Sequence, residues 1–393
     1  KIFDQQNNYC SKSMLAVPMK DHDDEIIGVL QLINSLDEGG RVVSFQEEYE
    51  SIILSLTSQA AVAIKNVSLI EEIRNVFRSL VRYSIKAIDA RSPHTAGHSG
   101  RVAKYCVRMA RAINDEPNGA LGKIFFSNQE IEELRMAAWL HDIGKIGVRE
   151  SVLEKTNKLS PHQIEVISAR FEGIKSQLNA EFIETHLREF LDDESLRKSL
   201  ESQKQQTMAE IDDALDFIKR INIPGFLREE EKSRLEQIAK KTYTNIRGER
   251  CPYLTPEEYE NLSIMRGNLT DNEYQEMQSH VLQTISILEK IPFTKDLQNI
   301  PKYAAGHHEF LDGTGYPMGL KGSAISIQSR IMCIADIYDA LSAPDRPYKE
   351  AHPIEEALDI LRQEAKAGKL DQDIVALFIA KELYHCPSPE EED

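Results

Sequence analysis

Apolar and polar residues fall into blocks whose period changes along the chain. Residues 14–20 and 26–34 are apolar runs separated by Asp21-His22-Asp23-Asp24, a turn-forming tetrad, and this pattern predicts a β-hairpin. From about Ser44 the period becomes helical. Apolar side chains then recur at alternating four- and three-residue steps, at Leu56, Ala60, Ala63, Val67, Ile70, Phe77, Val81 and Ile88, with Arg74 and Ser84 out of step. Kept over more than four heptads, this spacing predicts a long helix with one apolar seam, suited to pairing with its twin in a homodimer. Arg91-Ser92-Pro93 should end it, because the residue before a proline avoids helical backbone.

Beyond that point the chain reads as helices punctuated by proline and glycine. Three helix starts carry the reciprocal capping box, at Ser160 and Gln163, Thr255 and Glu258, and Thr270 and Glu273. Eleven residues after the leucine that precedes each box stand Arg170, Met265 and His280, so only the third offers a metal ligand. Residues 176–223 and 228–244 are charged, poor in glycine and helical in period, with Leu196, Leu200, Ile211, Leu215 and Ile218 along one side. They read as a helical insertion without chemistry of its own.

Composition narrows the classes. A chain of 393 residues exceeds one ordinary domain, and 41% hydrophobic with 28% charged residues supports sizeable cores. The formal net charge of −17 speaks against a binder of polymeric nucleic acid or of an anionic membrane. Uninterrupted apolar runs such as residues 60–64 fall short of the roughly 18–20 residues a bilayer span needs, so no membrane segment is expected. No signal peptide is seen after Lys1. Five scattered cysteines, Cys10, Cys106, Cys251, Cys333 and Cys386, form no CxxC pair and suggest reduced thiols in the cytoplasm.

The histidines carry the candidate chemistry. His22, His162, His186, His352 and His385 have polar neighbours and read as surface residues. His98 follows Gly97 at a helix start, His141 adjoins Asp142, His280 lies on a predicted helix, and His307 adjoins His308. Asp336 stands in the apolar run 331–337, where a carboxylate needs a partner because an unpaired buried charge is costly. Five imidazoles and two carboxylates suit borderline transition metals and exceed what one ion requires. A His-Asp pair on one helix would let the carboxylate bridge two ions. Two divalent ions roughly 3.5–4 Å apart can share a hydroxide and stabilise both the attacking and leaving oxygens of a phosphoryl displacement. Histidine ligands must be neutral, so activity is expected to fall below about pH 6. No spacing rule alone joins His98 to Asp336.

Two motifs add a resemblance. His141-Asp142-Ile143-Gly144-Lys145 resembles the HD motif of metal-dependent phosphohydrolases, and residues 307–317, HHEFLDGTGYP, are similar throughout to the HHExxDGxGYP signature of the HD-GYP family. Agreement extends to RSPHTAGH at 91–98, to Ala335-Asp336-Ile337-Tyr338-Asp339-Ala340-Leu341 and to Asp345-Arg346-Pro347-Tyr348, covering roughly residues 85–170 and 266–383. The resemblance implies an all-helical phosphodiesterase that hydrolyses the second messenger cyclic di-GMP to pGpG and onward to GMP. It assigns one metal to His98, His141, Asp142 and Asp336, and a second to His280, His307 and His308 with Asp142 bridging. Iron is favoured over manganese. Lys145 would touch the scissile phosphate, Arg346 and Lys349 would hold phosphate or guanine, and Tyr316 would line the guanine pocket or a partner surface. Gly313 and Gly315 suit a loop of close backbone approach. Two metals, Lys145, Arg346 and Lys349 would leave the pocket near about +4 despite the acidic whole.

Departures from the family are visible too. His94 stands where some members place a glutamate for a third metal, so a two-metal site is expected, with His94 the ligand if a third ion binds. Pro344 is one residue too many before the DRPY segment, and about 95 residues are inserted before His280. Residues 13–67 are similar to the second half of a GAF sensory domain, notably at Leu15-Ala16-Val17-Pro18-Met19 and Gln59-Ala60-Ala61-Val62-Ala63-Ile64. The expected protein is mainly α. It comprises part of an α+β GAF domain (1–66), a connector helix (67–90), an all-helical HD-type catalytic domain (91–170 and 266–393) and a helical insertion (171–265). Alternative readings are a low-turnover binding module that contacts a GGDEF-domain partner, and a phosphodiesterase for another cyclic dinucleotide such as cyclic GMP-AMP.

Overall fold

The computed structural model describes residues 10–91, 97–189, 194–343 and 352–385. Helices dominate and the strands are few and short, in keeping with a mainly α chain. The chain divides into two compact units, Lys1–Tyr83 and Ser84–Asp393.

In the first unit, β1 (Met14–Lys20) and β2 (Ile26–Ile33) pair antiparallel, with Met14 opposite Ile33 and Val17 opposite Leu30. Asp21 closes the turn by accepting hydrogen bonds from the backbone N–H groups of Asp23 and Glu25, as its side-chain chemistry predicts. Helix α1 (Glu50–Arg91) follows. Thr57 and Ala61 are buried and Ile53 and Lys65 half-buried, four residues apart along one face, and Lys65 Nζ lies 3.5 Å from Asp21 Oδ2. The seam residues Leu56, Ala60, Ala63, Val67 and Ile70 point elsewhere and are exposed. Later in the series Phe77 is half-buried and Val81 buried, so among the described seam residues the exposed apolar ones lie in the first half.

One expectation changes here. Residues Glu47–Ala87 form a helix long and apolar enough, by length and composition alone, to cross a membrane. Interrupted runs hid this in the sequence: between Ser51 and Ile70 the sole charged residue is Lys65, the rest of the polar positions being Ser, Thr, Gln and Asn.

The second unit carries the histidines. Helix α2 (His98–Asn114) packs on α3 (Asn128–Leu140) and on a later helix, α10, introduced below. Next comes the region expected to be an insertion: α4 (Pro161–Glu189), α5 (Glu194–Ile221), β3 (Gly225–Phe226), α6 (Glu229–Lys240), β4 (Thr242–Thr244), β5 (Arg250–Pro252), α7 (Pro256–Leu262) and β6 (Arg266–Gly267). It has a core of its own, with Ile167, Phe171 and Ile174 of α4 meeting Ile211, Leu215 and Ile218 of α5 and Leu235 of α6. The sequence reading began this region at 171. Helix α4 instead starts at the Ser160 capping box and passes residue 171 unbroken. Residues 242–244, read as helix end, form β4 against β5, because β-branched and aromatic Thr242-Tyr243-Thr244 precede a turn in which Asn245 Oδ1 accepts the N–H groups of Arg247 and Glu249.

The chain then returns through α8 (Asp271–Leu288), α9 (Ile300–Ala305), α10 (Ile327–Ser342), α11 (Ile354–Lys366) and α12 (Gln372–Ala380). Helix α10 is apolar on nearly every side, with Ile331, Met332, Cys333, Ile334 and Ala335 all buried, which marks it as the central helix. Its Tyr338 packs edge-on against Tyr105 of α2 and Phe378 of α12 at ring-centroid distances of 5.3 and 5.2 Å. Cys106 and Cys333 are buried, and Cys10, Cys106, Cys251 and Cys333 are free thiols.

The region between α3 and α8 is pinned by one nearly buried ion pair. Arg170 donates to both carboxylate oxygens of Glu258 at 2.6 and 2.9 Å, and Glu258 also closes the capping box of α7 with Thr255. Replacing Glu258 by alanine leaves a guanidinium uncompensated and should cost about 3–5 kcal/mol, read from denaturant unfolding. Glu236→Ala, which removes an exposed partner of Lys240, should leave the transition unmoved.

Candidate metal centre

Local folding brings each donor to one place. Helix α3 starts on a capping box at Ser127 and Glu130 and ends on His141 as its C-terminal cap. Asp142 then opens a tight 3-10 turn over Ile143–Gly147. The His-Asp pair therefore sits at a helix-to-turn corner and not within one helix, the position expected from sequence. The corner is locked onto α8: Gly144 N donates to Thr284 Oγ1 at 3.0 Å, and Thr284 Oγ1 donates to the His141 carbonyl at 3.0 Å. A Cβ on residue 144 would lie 2.0 Å from the His280 carbonyl oxygen, so only glycine allows this approach. His280 rides on α8, His307 and His308 follow α9 directly, His98 opens α2, and Asp336 sits within α10.

All seven expected ligands converge. His98 Nε2 lies 3.1 Å from Asp336 Oδ1 and 3.6 Å from Asp142 Oδ2, and His141 Nε2 lies 3.2 Å from Asp142 Oδ2. The other Asp142 oxygen, Oδ1, is 3.4 Å from His280 Nε2. Asp142 thus turns one oxygen to each histidine group. His308 Nδ1 stands 3.8 Å from Asp336 Oδ2, and the His307 and His308 rings lie 4.1 Å apart between centroids. Three ligand atoms from His98, His141 and Asp336, and three from His280, His307 and His308, each fall within 4.8 Å of one another.

Burial makes this a metal cradle. Nε2 of His141, His280 and His307, and Oδ1 of Asp142, are buried and make no hydrogen bond among the described residues. Polar atoms left so would cost stability without a partner, and imidazole and carboxylate donors fit a divalent transition ion. Charges are sharply divided. Although burial opposes ionisation of Asp142, His141 and Lys145 hold its carboxyl well below the usual range. Burial likewise opposes charge on Asp336, but His98 outweighs it and holds that carboxyl low. His98 is desolvated too, yet Asp336 and Asp339 raise its pKa to about 9. Burial lowers His280 and His307 and takes His308 down to about 4.

Around the cluster, Lys145 Nζ donates to Asp142 Oδ2 at 2.5 Å and keeps a partly exposed side chain. Tyr316 lies over His308 with ring centroids 4.7 Å apart, its N–H donates to the His308 carbonyl at 3.1 Å, and burial raises its phenol pKa. Gly313 has a φ of +82° and packs beneath the Lys321 side chain, a turn requirement that explains glycine there without a ligand. His94, Arg346 and Lys349 lie outside the described residues. Four supporting residues had no role in the sequence reading: Thr284, Glu309, Arg101 and Asp339. Glu309 is buried and accepts the N–H groups of Met318 and Leu320 at 2.7 and 2.8 Å, which fixes the loop after Tyr316-Pro317. Asp339 had one legible signal, its place three residues after Asp336 on an apolar helix and so on the same face.

Comparison with known proteins agrees with this geometry. Residues 95–241 and 253–374 each match an HD domain, and residues 3–64 match a GAF domain. The chain is 28% identical over 279 residues to the 3'3'-cGAMP-specific phosphodiesterase 3 of Vibrio cholerae serotype O1, an alignment covering 71% of this chain and 33% of that protein. It is 32% identical over 155 residues to 3'3'-cGAMP-specific phosphodiesterase 1 of the same organism, covering 37% of this chain and 34% of the relative. A probable cyclic di-GMP phosphodiesterase, also of Vibrio cholerae, is 38% identical over 128 residues, covering 31% and 29%. The chain spans about a third of the length of these curated relatives. HD-domain phosphohydrolases are metal-dependent, and the convergent donors suit that chemistry.

The divided histidines add an expectation for metal uptake to that for activity below about pH 6. Without metal, His98 is protonated below about 9, so metal uptake near neutrality expels that proton, whereas His308, with a pKa of about 4, is already neutral. Apparent metal affinity should climb with pH up to about 9. Calorimetry in two buffers of different ionisation heat should report release of about one proton per chain near pH 7.5. Uptake that ignores pH between 6 and 8 would contradict this.

Proposed function

We propose that this chain, an HD-domain protein of the HD-GYP type with part of a GAF domain, is a metal-dependent phosphodiesterase that hydrolyses cyclic di-GMP to pGpG and onward to GMP. One observation carries the reading: a buried set of imidazoles and carboxylates in which Asp142 faces both histidine groups. His98, His141, Asp142 and Asp336 would hold one divalent ion, and His280, His307 and His308 with Asp142 a second; these donors suit iron or manganese, and the family resemblance favours iron. Bound ions of this kind neutralise phosphodiester charge and lower the pKa of water toward neutrality.

The chain's own residues then orient the substrate. Lys145, tethered to Asp142 and partly exposed, offers its ammonium to a phosphate oxygen at the mouth of the cluster. Tyr316 keeps its proton and presents a flat ring beside His308, a surface for a nucleobase. Arg346 and Lys349 would add cationic contacts to phosphate or guanine, and His94 would serve only a third ion.

A second substrate has a specific observation in its favour. The alignment that spans 71% of this chain is to a protein named as specific for 3'3'-cGAMP, whereas the probable cyclic di-GMP phosphodiesterase aligns over 31%. Purified anaerobically, the parent protein should cleave at least one of the two dinucleotides in a side-by-side assay. The double variant His141→Ala, Asp142→Ala should fall to the uncatalysed background. Undiminished cleavage by the variant would sink the assignment of the site. A parent that binds substrate without turnover would point to a binding module for a GGDEF-domain partner.

The domain plan is sensor, connector and effector, and the seam of α1 would join two copies. Leu56, Ala60, Ala63, Val67 and Ile70 are exposed in the single chain although apolar, which favours a covering partner. Light scattering should give the mass of a dimer for the parent and of a monomer for Val67→Glu with Ile70→Glu. A monomeric parent would overturn the dimer.

A further inference from the structure

Four buried imidazoles of the cluster have their Nδ1 edge fixed, but not by the same kind of group. His141 Nδ1 meets the Ala138 carbonyl at 2.7 Å, His280 Nδ1 the Met277 carbonyl at 2.6 Å, and His307 Nδ1 the Ala304 carbonyl at 2.5 Å. In each case the acceptor is the carbonyl three residues earlier, supplied by the helix that leads into the histidine. His98 differs, being the first residue of α2. Its Nδ1 meets Asp339 Oδ2 at 2.8 Å instead. Asp339 is 1% exposed and is itself held by Arg101, whose Nε and Nη2 donate to its two oxygens at 2.6 and 3.0 Å.

A carboxylate behind an imidazole does one thing that a neutral carbonyl does not. Either acceptor fixes the tautomer with Nδ1–H and leaves Nε2 free to bind a cation, but the carboxylate adds a negative charge that cancels the imidazole's developing positive charge and makes Nε2 more basic toward a cation. The His98 position also has Asp336 at 3.1 Å from His98 Nε2, whereas the opposing triplet of His280, His307 and His308 is built of imidazole alone. Anionic donors and an anion-backed imidazole are thus concentrated on one side.

We propose that Asp339, clamped by Arg101, is a positioning residue that makes the two metal positions unequal. The position of His98, His141 and Asp336 binds its ion more tightly and fills first. The triplet of His280, His307 and His308 fills second and is the ion lost on mild chelation. This rests on the two-metal reading above.

The test is a titration of the metal-free full chain with Mn²⁺ against a competing chelator. The parent should show two separable steps. Asp339→Asn, which keeps a hydrogen-bond acceptor but removes the charge, should weaken the tighter step by about 10–100-fold and leave the weaker one in place. Arg101→Gln, at the rim of the same pair, should shift that step in the same direction, and Arg101→Lys should restore part of it. Circular dichroism of each variant separates this from unfolding, and if Asp339→Asn does not fold the Arg101 pair decides. Two unchanged steps in a folded variant would overturn the proposal. So would selective weakening of the weaker step, or equal weakening of both. A parent that takes up no metal would instead overturn the two-metal reading.

Discussion

Desolvation of the donor cluster is the constraint on which the second unit is built. Nε2 atoms of three histidines and an oxygen of Asp142 are shut away from water without a hydrogen bond among the described residues. Such groups persist in a folded chain only when something else compensates them, and a cation is the partner their chemistry selects. The supporting architecture follows from that need. Each buried imidazole is aimed by an acceptor at its far edge, and the acceptors are parts of the helices themselves or of α10. The apolar character of α10 drives it to the centre by burial, and its two carboxylates travel with it.

The Gly144–Thr284 contact shows how little tolerance this leaves. A hydroxyl shared between the Gly144 N–H and the His141 carbonyl fastens the His-Asp corner to α8 one turn beyond His280. Backbone meets backbone there, with no room for a methyl group. The His-Asp corner and His280 are therefore spaced by close main-chain approach, with the buried Thr284 hydroxyl as the tie between them. Tyr316 and Lys145 stand at the more accessible edge, where a ligand can reach them.

Much of this was legible in the sequence, for identifiable reasons. The hairpin, the seam helix and the capping boxes at Ser160, Thr255 and Thr270 are local signals, and each depends on a few neighbouring residues. Asp336 announced itself because a carboxylate within Ile-Met-Cys-Ile-Ala is anomalous. Its meeting with His98 was not readable from spacing, since 238 residues separate them, and it was the motif resemblance that linked them. Thr284 and Arg101 stayed silent because their roles exist only through contacts between distant helices, and Asp339 showed no more than its spacing from Asp336. The corner at Asp142 and the short strand β4 were read as helix. There a run of helix-compatible residues is overruled, by packing against α8 in one case and by the Asn245 turn in the other.

The helical region between α3 and α8, with a core of its own, separates the donors in time as well as along the chain. During synthesis His98, His141 and Asp142 emerge first, and Asp336 follows them only after roughly 10–40 s at ordinary elongation rates. The helices of that region can bury Phe171 and Ile218 against each other within that interval, since both partners are already made. The early donors cannot be completed, because α10 has not yet left the ribosome. A nascent chain thus carries a finished subdomain beside an open half-site, and α10, arriving later, both fills the core and closes the cradle.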